Sequence, residues 1–142
     1  TPRFSRLLAD NALHSIIICP SNPYLSIDPI LAIPGVRQAI KGSTAPTIAV
    51  SPIVDGSAIK GPTAKLMAEL GVPVSAAAVV EHYGDLLDGF VLDSVDAALA
   101  GSIEKGGIEC TVTNTVMKSL DDRTQLARDV LEFARTLGPF IR

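Results

Sequence analysis

Four short apolar runs, separated by stretches of helical periodicity, constrain the fold of this chain most. They are Ser15-Ile16-Ile17-Ile18, Pro46-Thr47-Ile48-Ala49-Val50, Gly89-Phe90-Val91-Leu92-Asp93 and Ile108 to Thr113. Runs of this length, rich in β-branched residues and bounded by turn formers, read as buried strands. Strands that alternate with helices at βαβ spacing predict an α/β fold with a parallel sheet and flanking helices. A mean hydropathy of +0.36 agrees, because parallel strands are covered on both faces and are apolar throughout. The expected strands cover about residues 14–19, 46–50, 89–93 and 108–113. The last alternates more clearly and so belongs nearer an edge.

The helical stretches have readable ends. Thr1 can cap a helix with Pro2 in its first turn, and Phe4, Leu7 and Leu8 then share a face. Val36 to Ile40 reads as a short helix. Gly61-Pro62 opens another, with Ala64, Leu66, Met67 and Leu70, closed by Gly71. Ser75 can cap a helix through about Leu87, with Val79, Val80, Tyr83 and Leu87 inward. Asp93 and Ser94 cap a short helix through Ala100. Asp121-Asp122 suits the N-terminus of a final helix carrying Leu126, Val130, Leu131, Phe133 and Ala134.

At 142 residues the chain has room for one domain with a proper core. A hydrophobic content of 47% argues against disorder. No apolar run approaches the roughly 20 residues that cross a bilayer, so no membrane partner is expected. A net charge of −3 argues against a broad nucleic-acid surface. Cys19 and Cys110 read as reduced thiols, without metal-ligand spacing, and a cytoplasmic location is expected.

Two of the runs lead into unusual polar segments. The first is Cys19-Pro20-Ser21-Asn22-Pro23-Tyr24-Leu25-Ser26-Ile27-Asp28-Pro29. Its three prolines restrict the backbone and remove donors, which predicts a shaped loop and no helix. The second is Ser51-Pro52-Ile53-Val54-Asp55-Gly56-Ser57-Ala58-Ile59-Lys60-Gly61-Pro62. Ligands of α/β sheets sit beyond the carboxyl ends of the strands, so these two loops are expected to be neighbours forming one cleft.

The chemistry of the loops admits two readings. Ser21, Asn22 and Ser26 can hold phosphate oxygens, but the same residues are ordinary turn formers. Lys60, just before a helix start, is placed to neutralise a phosphate, or is a solvated lysine. Asp28 and Asp55 could hold Mg²⁺ beside a diphosphate, or cap turns, which suits Asp55 better. His82 lies within a helix and reads as structural, and His14 has no evident acidic partner. No G-x-x-x-x-G-K-[ST] or G-x-G-x-x-G fingerprint is present.

The motif Pro20-Ser21-Asn22-Pro23…Ser26-Ile27-Asp28-Pro29-Ile30-Leu31…Pro34-Gly35 resembles the 2-phospho-L-lactate transferase family of coenzyme F-420 biosynthesis. So does Ser51-Pro52-Ile53-Val54…Gly56…Ala58…Lys60-Gly61-Pro62…Lys65-Met67. Gly71, His82-Tyr83, Asp93 and Thr113-Asn114-Thr115-Val116-Met117 continue the resemblance along the chain. It implies a Rossmann-like sheet. It also implies transfer of a 2-phospholactyl or phosphoenolpyruvyl group from a guanosine-diphospho donor to the deazaflavin Fo, with release of GMP and help from Mg²⁺. Lys60 would act in catalysis. Pro20, Ser21, Asn22, Pro23, Ser26, Ser51, Pro52, Val54 and Gly61 would bind substrate. Family members carry glycine where Asp55 stands. They are also about twice as long, with a glycine-rich phosphate loop and metal-binding acids upstream. Residues 1–142 are therefore expected to be the C-terminal half of such a protein, inactive alone and prone to self-association through uncovered apolar surface. The alternative is a nucleotide-sugar-binding regulatory protein of a related fold, whose loop has glycine-serine-leucine where this chain has Ser21-Asn22-Pro23.

Overall fold

The computed structural model describes residues 2–58 and 61–140. Thr1 and Lys60 lie outside the described residues, so the expected cap and the expected catalytic lysine are not placed.

Four parallel strands form the sheet: β1 (Ile16–Ile18), β2 (Thr47–Val50), β5 (Gly89–Asp93) and β6 (Glu109–Thr113), in the spatial order β1-β2-β5-β6. The register pairs Ile18 with Ala49, Val50 with Val91, and Leu92 with Val112. All residues of β2 and β5 are buried, whereas β1 and β6 are partly exposed, as edge strands are. The α/β parallel architecture, and the outer position of the last strand, match the sequence-based expectation.

The two faces are covered differently. The helix α7 (Leu120–Leu137) packs Leu126, Val130 and Ala134 against Ile48, Val50 and Val91. Gly89 permits this close approach. A Cβ there would meet Phe133 Cε1 at 2.7 Å and Leu137 Cδ1 at 2.8 Å. Ser119 caps α7 by accepting from the Asp122 N–H at 3.1 Å, and the Asp122 carboxylate accepts from the Ser119 N–H at 2.9 Å. This reciprocal box satisfies donors that a helix start leaves unpaired.

The opposite face carries Ala49, Phe90 and Leu92 in a larger core with Val36, Ile40, Met67, Val79, Tyr83 and Ile103. Those residues come from α3 (Val36–Lys41), α4 (Thr63–Glu69), α5 (Ala76–Tyr83) and α6 (Ala100–Lys105). Ser75 caps α5, accepting from the Ala78 N–H. The helix stops at Tyr83, short of the expected Leu87, and a 3₁₀ turn over Gly84–Leu86 brings Leu86 and Leu87 inward. The short helix expected after Asp93 is a 3₁₀ segment, Ser94–Leu99, which runs on into α6. The helix α1 (Pro2–Leu8) buries Leu8 against this core.

Two further expectations are corrected. The proline-rich segment after β1 is helical: Pro23–Ile27 forms a π-helical turn, and α2 (Asp28–Leu31) follows it. Proline breaks a helix only where its missing N–H or its ring conflicts with the preceding turn. Pro23 and Pro29 each sit in a first turn, where that N–H would have no partner. The second polar loop contains a hairpin, β3 (Ile53–Val54) against β4 (Ser57–Ala58). Asp55 (φ 50°) and Gly56 (φ 67°) form its two-residue connection, and positive φ at both positions is what a type I′ hairpin turn demands.

Candidate functional site

Because the four strands are parallel, their carboxyl ends share one edge. The segments after β1 and β2 are neighbours there, as expected, since Ile18 is paired with Ala49. The segments after β5 and β6 complete a row of four polar exits.

In the first exit, Asn22 is 9% exposed and Pro23 is buried, Pro20 and Ser21 are half-buried, and Ser26 is exposed. Asn22 Oδ1 accepts from the N–H groups of Tyr24 at 3.0 Å and Leu25 at 3.1 Å, which caps the π-helical turn. Asn22 Nδ2 is buried without a partner among the described residues. A buried donor left unpaired costs about 1–3 kcal/mol.

Asp28 ends that turn. Its N–H donates to the Pro23 carbonyl. Its two carboxylate oxygens lie 2.9 and 3.0 Å from His82 Nε2 on α5. The Tyr24 ring is tilted against the His82 ring, with centroids 4.4 Å apart. Burial, then the nearby Asp28 charge, pushes the Tyr24 phenol up, and the same two causes, with Tyr24 itself, push Tyr83 up further.

The second exit is more committed. Ser51 is fully buried, and its Oγ donates to the Ile53 carbonyl at 2.7 Å while accepting from the Ile53 N–H at 3.2 Å. Pro52 is buried and Val54 is half-buried within β3, so these residues shape the edge from beneath. Gly61 is exposed. The Asp55 N–H donates to Asp96 Oδ2 at 3.1 Å, so Asp55 serves the hairpin turn and its attachment.

The third and fourth exits are tied together. Asp93 Oδ2 accepts from the Thr115 N–H at 2.9 Å and the Thr115 hydroxyl at 3.0 Å, and Oδ1 accepts from the Val95 N–H at 3.1 Å. Burial alone would push the Asp93 carboxyl up. The donors of Thr115, Val95 and Ser94 outweigh it and hold Asp93 below the usual carboxylate range.

Among the described residues no group of three or more His, Cys, Asp or Glu side chains could hold a metal ion. Both oxygens of Asp28, a possible metal ligand from its place in the first loop, are on His82. These residues do not fit a Mg²⁺ shell.

The site is thus a polar rim on the carboxyl edge of a parallel α/β sheet, the arrangement of a protein that binds a small molecule over its strand ends. The chain belongs to the family described as 2-phospho-L-lactate transferase CofD, which matches residues 8–132. It is 43% identical over 122 residues to a 2-phospho-L-lactate transferase of Methanocaldococcus jannaschii, covering 86% of this chain and 38% of that protein. It is 42% identical over 120 residues to a phosphoenolpyruvate transferase of Streptomyces griseus, covering 84% of this chain and again 38% of the relative. A 2-phospho-L-lactate transferase of Methanococcus maripaludis shows the same level, 42% over 123 residues. The chain therefore spans 38% of the length of these relatives, less than the expected half.

Sequence reasoning missed two features of the rim. The Asp28–His82 pair spans 54 positions, and neither residue carries a local signal for the other. The Asp93–Thr115 link had a faint signal, since both residues lie in stretches that carry the family resemblance. Among the described residues no helix is long and apolar enough to cross a membrane.

Proposed function

We propose that this chain is part of an enzyme that transfers a 2-phospholactyl or phosphoenolpyruvyl group from a guanosine-diphospho donor to the deazaflavin Fo. The observation that carries the reading is membership of the CofD family over residues 8–132, with relatives named for both transfers. In this reading the terminal ribityl hydroxyl of Fo attacks the donor's distal phosphorus, the one that carries the lactate or enolpyruvate through its 2-oxygen. A P–O bond to Fo forms, the P–O bond to GMP breaks, and the hydroxyl proton leaves with the departing phosphate or solvent.

Such a reaction asks the protein for positioning and charge neutralisation more than for a covalent nucleophile. The rim supports that demand. Ser21 and Ser26 bring neutral hydroxyls to the first exit, and Asn22 brings a buried donor with no described partner. Lys60 would offset diphosphate charge. Any Mg²⁺ would draw its ligands from elsewhere in the longer protein. A cytoplasmic location belongs to the same reading.

The test uses the full-length protein containing this chain, incubated with Fo and either guanosine-diphospho-lactate or guanosine-diphospho-phosphoenolpyruvate. Formation of GMP with a phosphodiester-linked Fo adduct, seen by mass spectrometry, is expected. Absence of turnover together with exclusive binding of UDP-sugars would replace the reading with the regulatory one. Lys60→Ala should lower kcat/KM by about 2–3 orders of magnitude, as loss of a preorganised charge contact does, with little change in melting temperature.

A further inference from the structure

The first exit is an unusual structure with an outside hold. Its backbone makes a π-helical turn over Pro23–Ile27, with Ser26 and Ile27 N–H groups both directed to the Asn22 carbonyl at 3.0 and 3.4 Å. Turns of this kind are rare and occur frequently at functional sites. Asn22 caps its start through Oδ1, and Asp28 closes its end through its backbone N–H. The residue that closes the turn is also the one that His82 grips, from a helix far along the chain. Tyr24, inside the turn, lies against the same imidazole.

We propose that His82 is a positioning residue. Its Nε2–H donates to Asp28, and its ring backs Tyr24, so that it sets the conformation of the turn that presents Asn22 and Ser26. The inference rests on the functional reading of that rim and adds a residue that the sequence alone marked as structural. Exposure separates positioning from stabilisation. The His82 and Asp28 side chains are 22% and 42% exposed, and a pair this open to solvent adds little to folding. It can still decide geometry, since small misplacements of binding groups lower rates steeply.

The test uses the full-length protein with four variants: His82→Ala, His82→Gln, Asp28→Ala and the double Asp28→Ala/His82→Ala. Steady-state kinetics, melting temperature and amide exchange at Tyr24 and Leu25 are read for each. His82→Ala should raise KM about tenfold with a smaller change in kcat, a size in keeping with misplaced binding groups. Its melting temperature should stay within a few degrees, and exchange at both amides should rise. His82→Gln keeps an N–H near the Nε2 position and should recover most of both readouts. Asp28→Ala should match His82→Ala, and the double variant should be no worse than either. Unchanged kinetics and exchange in His82→Ala would overturn the proposal. So would additive losses in the double variant, or kinetic losses that follow melting temperature and are not rescued by glutamine. If the wild-type protein shows no turnover, the functional reading fails by itself, and the exchange arm decides the role of His82.

Discussion

Asp93 and Asp28 both serve the carboxyl edge, in contrasting ways. Asp93 is 5% exposed and accepts from the backbone and hydroxyl of Thr115 and the backbone of Val95. Asp28 has a side chain 42% exposed and gives both oxygens to one imidazole. A buried carboxylate with fixed backbone donors cannot be released without stranding them, so the β5–β6 end is scaffold. A half-exposed carboxylate on a single side chain can exchange that partner for water at small cost. The loop expected to meet substrate is held by the adjustable device, and the end that supports it is held by the rigid one.

The contrast predicts unequal damage. Asp93→Ala leaves the Thr115 and Val95 donors behind, and should cost roughly 3 kcal/mol of unfolding free energy, the scale of stranding buried donors. Denaturant titration would check this, and a loss near zero would remove the distinction. The same carboxylate should show in acid. Its folded pKa is depressed, so its contribution is full above the unfolded carboxylate value of about 3.9. That contribution is lost as pH falls through the folded value. Melting curves of wild type and Asp93→Asn, taken from neutral pH downward, should converge in acid; a constant gap would contradict the assignment.

The thiols report on the two sides independently. Cys19 follows β1 and is exposed, while Cys110 lies on β6 and is half-buried. Burial first, then Glu104 and Glu109, pushes the Cys110 thiol up to about 11. The thiolate is the reacting form, so iodoacetamide at mildly alkaline pH should modify Cys19 at least about tenfold faster, as peptide mass spectrometry would show. Equal rates would mean that the β6 side opens as readily as the β1 side. The smallest effect belongs to His82→Ala, whose cost in stability should stay below about 1 kcal/mol, the usual range for an exposed pair. A larger loss would move Asp28–His82 into the scaffold class.

Much of this is legible in the sequence. The strand runs carried their own evidence, because residues buried on both faces leave continuous apolar stretches at Thr47–Val50 and Gly89–Asp93. Caps were legible where a hydroxyl or acid stands before helical periodicity, as at Ser75. The helical turns between Pro23 and Leu31 were not. Proline's effect depends on its position within a turn, and that position was fixed by an Asn22 cap that also reads as ordinary loop chemistry. The hairpin at Asp55-Gly56 had the right dipeptide, but strands of only two residues leave no alternation to read. The Asp28–His82 pair depended on the fold itself, which brings α2 beside α5.

The order β1-β2-β5-β6 has a consequence for how the molecule is made. Within this stretch each strand of the sheet lies beside the next one to be synthesised, so the four strands can add in order. The longest wait is between Val50 and its partner Val91, and the hairpin, α4 and α5 fill the interval. Even there the delay is mild, since each doubling of a flexible loop adds only about 0.6 kcal/mol of closure entropy. Once β5 arrives, β6 needs only the short passage through α6. Assembly by successive addition keeps each closure short, and it favours rapid collapse in a class of sheet that otherwise folds slowly.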